Sequence, residues 1–326
     1  MEIDEAYSRR AMMQLLAAAV ASGAGPALAE TAKPVRVILP ISAGSGVDTI
    51  VRASLNTLAR TLNSPVAVEN LPGEGGVAGT LAMIKSPPDG HTFSIVSNAH
   101  VIFPSVLKRV PFDPLADVTP IAVIGVTPLV LVVNPALKVR SVSEFVSLVK
   151  SSSGKYRFGS PGNGTILHLA GEMFKSLNSL TSQHVPYAGF GAMLKELIAG
   201  NVDWAIAALP AVAEATRTGR LQPLCVASLS RSPAAPEVPS CAESGQPFFV
   251  VEGWFAAVAP KGMQAAEVAR LHDALAQTFD APEVRSAMAK QGNLIRISSP
   301  EQARAFFDGQ QRLYSQVAKA AKIVPQ

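Results

Sequence analysis

An α/β protein in two lobes is the fold this sequence predicts, and three observations predict it. The chain has 326 residues, which is two ordinary domains at about 150 residues each. Apolar residues make up 48% and charged residues 16%, enough for packed cores and too little charge for a disordered chain. Short β-rich runs then alternate with amphipathic helical periodicities along most of the length.

The first residues stand apart from that rhythm. Ala11 to Ala29 carry no charge and end in Ala27-Leu28-Ala29, the small-x-small pattern of a signal-peptidase site. Arg9 and Arg10, followed by Met12 and Met13, resemble a twin-arginine signal. Gly23, Gly25 and Pro26 break the apolar stretch, which is too short for a membrane anchor of about 20 residues. Residues 1–29 are therefore expected to be a cleaved export signal and the mature protein periplasmic.

Without that segment the chain keeps 26 basic and 21 acidic side chains, a net +5, with no run of five like charges. So diffuse an excess argues against nucleic acid as a partner. The uncharged stretch Val118 to Leu137 is punctuated by Pro120, Gly125, Pro128 and Pro135, which predicts two buried strands joined by a turn rather than a membrane helix. Cys225 and Cys241 survive processing, and in an oxidising compartment they could pair or remain buried thiols.

The first series of strands is expected at 35–40, 66–70, 92–96, 121–126 and 129–133. Between the first two, Val47, Ile50, Val51, Leu55, Leu58 and Leu62 recur at three and four, one stripe of a helix covering a sheet. Ser141 with Glu144 and Ser299 with Gln302 read as capping boxes, Pro300 filling the first helical position of the second. A second series follows at 156–159, 182–185, 204–208 and 221–228, with a helix through Leu167, Ala170, Phe174 and Leu177. After an apolar run at 248–259, helices built on Leu271 and Phe279, on Val284 and Met288, and on Phe307 and Leu313 lack strand partners of their own. They are expected to pack on the first lobe, which makes it discontinuous: residues 30–130 with 251–326, the second lobe being 131–250, and the crossings at 129–133 and 248–259 hinges.

The candidate chemistry lies in two glycine loops. Ala43-Gly44-Ser45-Gly46 follows the first strand and leads into a helix, with Asp48 in its first turn. Pro161-Gly162-Asn163-Gly164-Thr165 stands in the same place in the second series, with His168 on the first turn. Glycine lets a ligand approach the backbone, and exposed N–H groups at a helix N-terminus favour an anion. Either loop alone reads as a tight turn; two in matching positions point to a clamp on a carboxylate. A third glycine turn, Pro72 to Gly76, carries Glu74, which opposes an anion. Asn98 and Tyr187 are polar groups at strand ends, where α/β ligand sites form.

Enzyme signatures are missing. Gly-x-Ser-x-Gly fails at both Ser45 and Ser160, and the five histidines form neither His-Glu-x-x-His nor a zinc-spaced cluster, so no catalytic residue, metal or cofactor is expected. The rival readings are an exported α/β enzyme acting on a carboxylate or ester, and a ligand-loaded sensor for a membrane kinase.

At these residues the chain resembles the Bug-type solute receptors, the extracytoplasmic binding proteins of tripartite tricarboxylate transport systems. The motifs that carry the resemblance are Ala43-Gly44 with Asp48, Val68 to Gly73 with Gly75-Gly76, Pro88-Asp89-Gly90-His91-Thr92, Pro111-Phe112-Asp113-Pro114, Leu131 to Pro135, Gly162-Asn163-Gly164-Thr165 with His168 to Glu172, His184-Val185-Pro186-Tyr187, and Trp254-Phe255 with Ala259-Pro260. The resemblance implies a two-lobed periplasmic-binding-protein fold of type II, each lobe a mixed sheet flanked by helices with a cleft between, closing as a monomer on a small organic carboxylate for a membrane permease. It implies that both glycine loops hold carboxylate oxygens through backbone amides, hydroxyls and water. The chain departs from the family in having Ala207 and Ala208 after Trp204, where relatives carry acidic or polar residues. An acid without an amino group is therefore expected, its body lying against Ala207, Ala208 and Phe103.

Overall fold

A computed structural model of the chain describes residues 33–44, 46–73, 76–152 and 154–325. The expected export signal at residues 1–29, Ser45, Glu74 and Gly75 lie outside the described residues. No helix among the described residues is long and apolar enough to cross a membrane.

Strands and helices alternate as the periodicities require. The first series is β1 (Val35–Leu39), α1 (Gly46–Leu62), β2 (Val66–Asn70), α2 (Val77–Ile84), β3 (Thr92–Ser97) and α3 (Ala99–Val106). β4 (Val118–Val133) and α4 (Val142–Ser151) lead to the second: β5 (Arg157–Ser160), α5 (Ile166–Asn178), β6 (Gln183–Pro186), α6 (Phe190–Ala199), β7 (Trp204–Ala208), α7 (Leu209–Arg217) and β8 (Gln222–Val226). The chain closes with β9 (Glu252–Pro260), α8 (Ala265–Asp280), α9 (Pro282–Lys290), β10 (Leu294–Ile295) and α10 (Pro300–Ala320). One of the two capping boxes forms in full: Ser299 exchanges bonds with Gln302, whereas Ser141 Oγ accepts from the Glu144 N–H but the Glu144 carboxylate accepts from the Arg140 N–H, one residue before the cap.

The strand order β2-β1-β3-β9-β4-β7-β5-β6 contains one pattern twice. In the first half β2, β1 and β3 are parallel, β9 runs antiparallel to β3, and β4 antiparallel to β9. In the second half β6, β5 and β7 are parallel, β4 runs antiparallel to β7, and β8 antiparallel to β4. β1 thus corresponds to β5, and each parallel strand delivers a helix N-terminus at its carboxyl edge, where ligands bind in α/β proteins.

β4 corrects the expectation of two strands joined by a turn. It is a single strand whose first part pairs with β9 as far as Pro128 and whose last part, from Leu129, pairs with β7 and β8. Its prolines do not break it because the register shifts between Pro120 and Ala122, and Pro128 stands at the change of partners. At Gly125 an added Cβ would lie 2.5 Å from the Leu294 carbonyl oxygen, so glycine is what lets β10 pair there.

Each half has its own core. Val35, Val37, Leu39 and the α1 stripe pack with Leu271, Leu275 and Phe279 of α8 and with Val284 and Met288 of α9. In the second half Trp204 is fully buried among Phe145, Phe158 and Phe174, ring centroids 5.5, 4.9 and 5.8 Å away, and its indole N–H donates to Ser182 Oγ at 3.1 Å. A disulfide joins Cys225 and Cys241 inside this core. Phe248, expected within an apolar strand, is exposed; β9 begins only at Glu252.

Candidate functional site

Loop one leaves β1 with Ala43, Gly44 and Gly46 exposed. Gly44 is left-handed, φ +78°, and its N–H donates to Asp48 Oδ2 at 2.8 Å. Arg52 Nε donates to both carboxylate oxygens of Asp48, at 2.9 and 3.0 Å, and Asn70 Nδ2 to Oδ1 at 3.0 Å. Burial pushes the Asp48 carboxyl up, but Arg52, the Gly44 N–H and Asn70 outweigh it and leave its pKa below the ordinary value. Asp48 was expected to bind ligand; instead its charge is spent inside the loop, because a carboxylate on the first turn of a helix turns back to the nearest free N–H groups.

Loop two leaves β5 at Ser160, whose Oγ lies 2.7 Å from His184 Nε2 and donates to the Gly162 carbonyl at 3.1 Å. Thr165 caps α5: its Oγ accepts from the His168 N–H at 3.3 Å and donates to Gly162 O at 2.9 Å. Gly164, left-handed at φ +73°, donates its N–H to His168 Nδ1 at 3.0 Å. That bond places the His168 proton on Nε2, which faces Glu172 Oε1 at 3.9 Å. The rings of His168 and His184 stack with centroids 3.8 Å apart, and Phe158 closes the stack. Burial, with the Lys175 ammonium beside it, holds His168 down at about 4; burial, His168 and Lys175 hold His184 down at about 3. Both rings are neutral at pH 7. His168, expected as a donor to the ligand, is buried with its Nδ1 occupied by the loop.

Asn98, Ala207 and Phe103, expected beside the ligand, are buried. Asn98 is buried: its Nδ2 donates to Tyr314 Oη and the Glu252 carbonyl, and its Oδ1 accepts from the Trp254 N–H, so it ties α3 to β9 and α10 instead of facing a ligand. Tyr187 is half-buried beside loop two, its ring against the α6 side of the second core and its N–H bonded to Ser160 O. Ala207 is 0% exposed within that core and can form no wall for a ligand. Alternation along β7 turns it inward. Phe103 is likewise buried, against Phe112, whereas Ala208 is half-buried at the start of α7.

What remains open is backbone. In loop two Pro161 and Gly162 are half-buried and Asn163 exposed; the N–H groups of Asn163, Ile166 and Leu167 donate to no acceptor among the described residues. Unlike α5, the helices α2, α3, α6 and α7 start without a side-chain cap, at Gly76, Asn98, Gly189 and Ala208. Uncapped N-termini in both halves make a positive, donor-rich surface suited to carboxylate oxygens. The halves also touch: a Cβ on Gly164 would lie 2.8 Å from Val106 Cβ at the end of α3. Among the described residues no group of three or more His, Cys, Asp or Glu could hold a metal.

Sequence reasoning missed Arg52, Asn70, Ser160, His184 and Val106. Arg52 carried a signal, standing four residues after Asp48 on one helix. Ser160 and His184 meet only through the β5–β6 pairing, and no spacing announces that.

A sequence profile described as "Tripartite tricarboxylate transporter family receptor" matches residues 50–322. Protein BugT of Bordetella pertussis is 35% identical over 292 residues, covering 88% of this chain and 90% of that protein. An R. palustris protein solved with adipate superposes with TM-score 0.80 at 28% identity, covering 90% of this chain and 98% of its own. MatC of Rhodopseudomonas palustris, solved with bound malate, gives TM-score 0.74 at 27% identity, covering 87% and 98%.

Proposed function

Because the chain belongs to the tripartite tricarboxylate transporter receptor family, the Bug-type receptors its sequence resembles, we propose that it is a periplasmic receptor that captures a small organic carboxylate and hands it, chemically unchanged, to the membrane permease of a tripartite transporter. The observation that carries this reading is the pair of glycine loops at equivalent places in two halves of one topology, each leading from a parallel strand into a helix N-terminus. In this reading residues 30–130 with 251–326 form one lobe and 131–250 the other, acting as a monomer and closing about β4 and β9. Closure excludes water and so strengthens the attraction of the amides for the ligand's oxygens. Ala43, Gly44, Ser45 and Gly46 from one side and Pro161 to Thr165 from the other hold the acid.

The absence of turnover is part of the same proposal. Ser160 and His184 make the contact that activates a nucleophile in hydrolases, but Ser160 is fully buried and its oxygen already bonds to the N–H and carbonyl of Gly162. An acid without an amino group suits the site, since the carboxylate in the two loops, Asp48, is neutralised by Arg52 and offers nothing to an ammonium.

A thermal-shift and calorimetric series with adipate, malate and aspartate tests the proposal. At a hundred times its dissociation constant a ligand adds about 2.7 kcal/mol to stability. Adipate or malate should produce that shift, aspartate should not, and Gly162→Asp and Gly44→Asp should each abolish it by setting an anion where one binds. An undiminished shift in both variants removes the loops from the site; equal affinity for aspartate and malate removes the specificity argument.

A further inference from the structure

We propose that Asp48 and His168 are equivalent positioning residues, one in each half, that fix the two ligand loops by accepting the N–H of Gly44 and Gly164. The equivalence is positional. Gly44 and Gly164 each stand two residues before the first residue of the helix that follows β1 or β5, and each acceptor is the third residue of that helix. The conformations agree, with φ +78° and +73°, and so do the bonds, at 2.8 and 3.0 Å. Both acceptors are buried, 2% and 5% exposed.

The chemistry of the two differs, and each half supplies the brace that its acceptor needs. The Asp48 carboxylate cannot sit buried without a counter-charge, and Arg52 and Asn70 provide the donors. The His168 imidazole is a neutral acceptor, so no cation is required; the flanking rings of His184 and Phe158 set its plane so that Nδ1 meets the Gly164 N–H. In both loops the pinned glycine holds the left-handed turn, and in loop two the amides of Ile166 and Leu167 beyond it donate to no described residue. A loop already held in its binding conformation loses less entropy on binding. The inference rests on the receptor reading for its effect on affinity, but not for the pins themselves.

The test separates the two. Amide hydrogen exchange is followed by NMR at Gly44 and Gly164, and adipate and malate affinities by calorimetry, in wild type, His168→Phe, His168→Asn and Asp48→Ala. Phe keeps the ring stack and lacks the acceptor, whereas Asn Oδ1 stands one bond from Cγ, as Nδ1 does. His168→Phe should deprotect Gly164 and leave Gly44 protected, and Asp48→Ala should do the reverse. Each should weaken the acid about tenfold, the order expected for one lost hydrogen bond plus the ordering of a freed loop. His168→Asn should restore Gly164 protection and bind within about threefold of wild type. If His168→Phe does not fold, His168→Leu takes its place. Unchanged Gly164 protection in the Phe variant, or failure of Asn to restore affinity that Phe loses, overturns the proposal. If wild type binds neither acid the receptor reading fails, and the exchange measurements still decide the pins.

Discussion

Replacing Gly164 by alanine tests the place where the two halves touch. Gly164 is left-handed, and an added Cβ would meet Val106 at Cβ, Cγ2 and Cγ1, at 2.8, 3.0 and 3.1 Å. Gly44 has the same backbone conformation, φ +78°, but a Cβ there meets nothing within 4 Å. Gly44→Ala therefore costs only the left-handed conformation of a residue with a Cβ, about 1–2 kcal/mol. Gly164→Ala adds an overpacking cost of about 1–3 kcal/mol, because branched Val106 has no free rotation by which to withdraw. The difference between the two alanines measures the contact between α3 and loop two. Val106→Ala removes the obstructing methyls, so the double variant should recover about 1–3 kcal/mol relative to the sum of the single changes. Urea unfolding at pH 7 of the single and double variants supplies all the terms. If Gly164→Ala costs no more than Gly44→Ala, or the double-mutant coupling falls within about 0.5 kcal/mol of zero, the contact between the halves is not as described.

The Cys225–Cys241 disulfide closes a loop with a sequence separation of 16 residues, which corresponds to about 3 kcal/mol of unfolded-state entropy. Cys225→Ala with Cys241→Ala should lower unfolding stability by that order in urea; an unchanged midpoint would assign the bridge no stabilising role. Stability should also fall as the pH is lowered. Burial, in part offset by the Pro114 carbonyl and Asp113, holds His100 down at about 4, with His168 at about 4 and His184 at about 3, against 6.5 for a free imidazole. Between pH 6.5 and 4 the unfolded chain then carries more protons than the folded one, so stability is full above that window and is lost on descending through it. The urea midpoint followed from pH 7 to 4 should drop with a slope of more than one proton, and a flat profile would contradict the buried neutral rings.

Much of the architecture was legible in the residues alone. The 3.6-residue stripe of Ile50, Val51, Leu58 and Leu62 could only cover a sheet, and Ser141 and Ser299 announced their helices through side-chain chemistry that acts within four residues. The short helices α2, α3, α6 and α7 were not legible. α2 and α6 follow glycines without side-chain caps, α3 contains Pro104, and α7 has a proline in its first turn, so tertiary packing and not local preference holds them helical. β4 was misjudged because proline is ordinarily a break, and only its change of partner at Pro128 makes one tolerable there.

For the site, the one-dimensional pattern of strand, glycines and helix start was enough to mark both loops and the anion they suit, since backbone amides at a helix N-terminus follow from local geometry. It could not say which way side chains face. Asp48, Asn98, His168 and Ala207 all occupy positions that read as lining residues, yet Arg52 and Asn70, Tyr314 and Trp254, His184, and the core of the second half claim them. Arg52 apart, those claims come from residues up to 216 positions away along the chain, brought within reach only when the sheet assembles. The loops belong to the sequence because their chemistry is local; the roles of Asn98, Ala207 and the His168–His184 stack belong to the fold because their partners are distant along the chain.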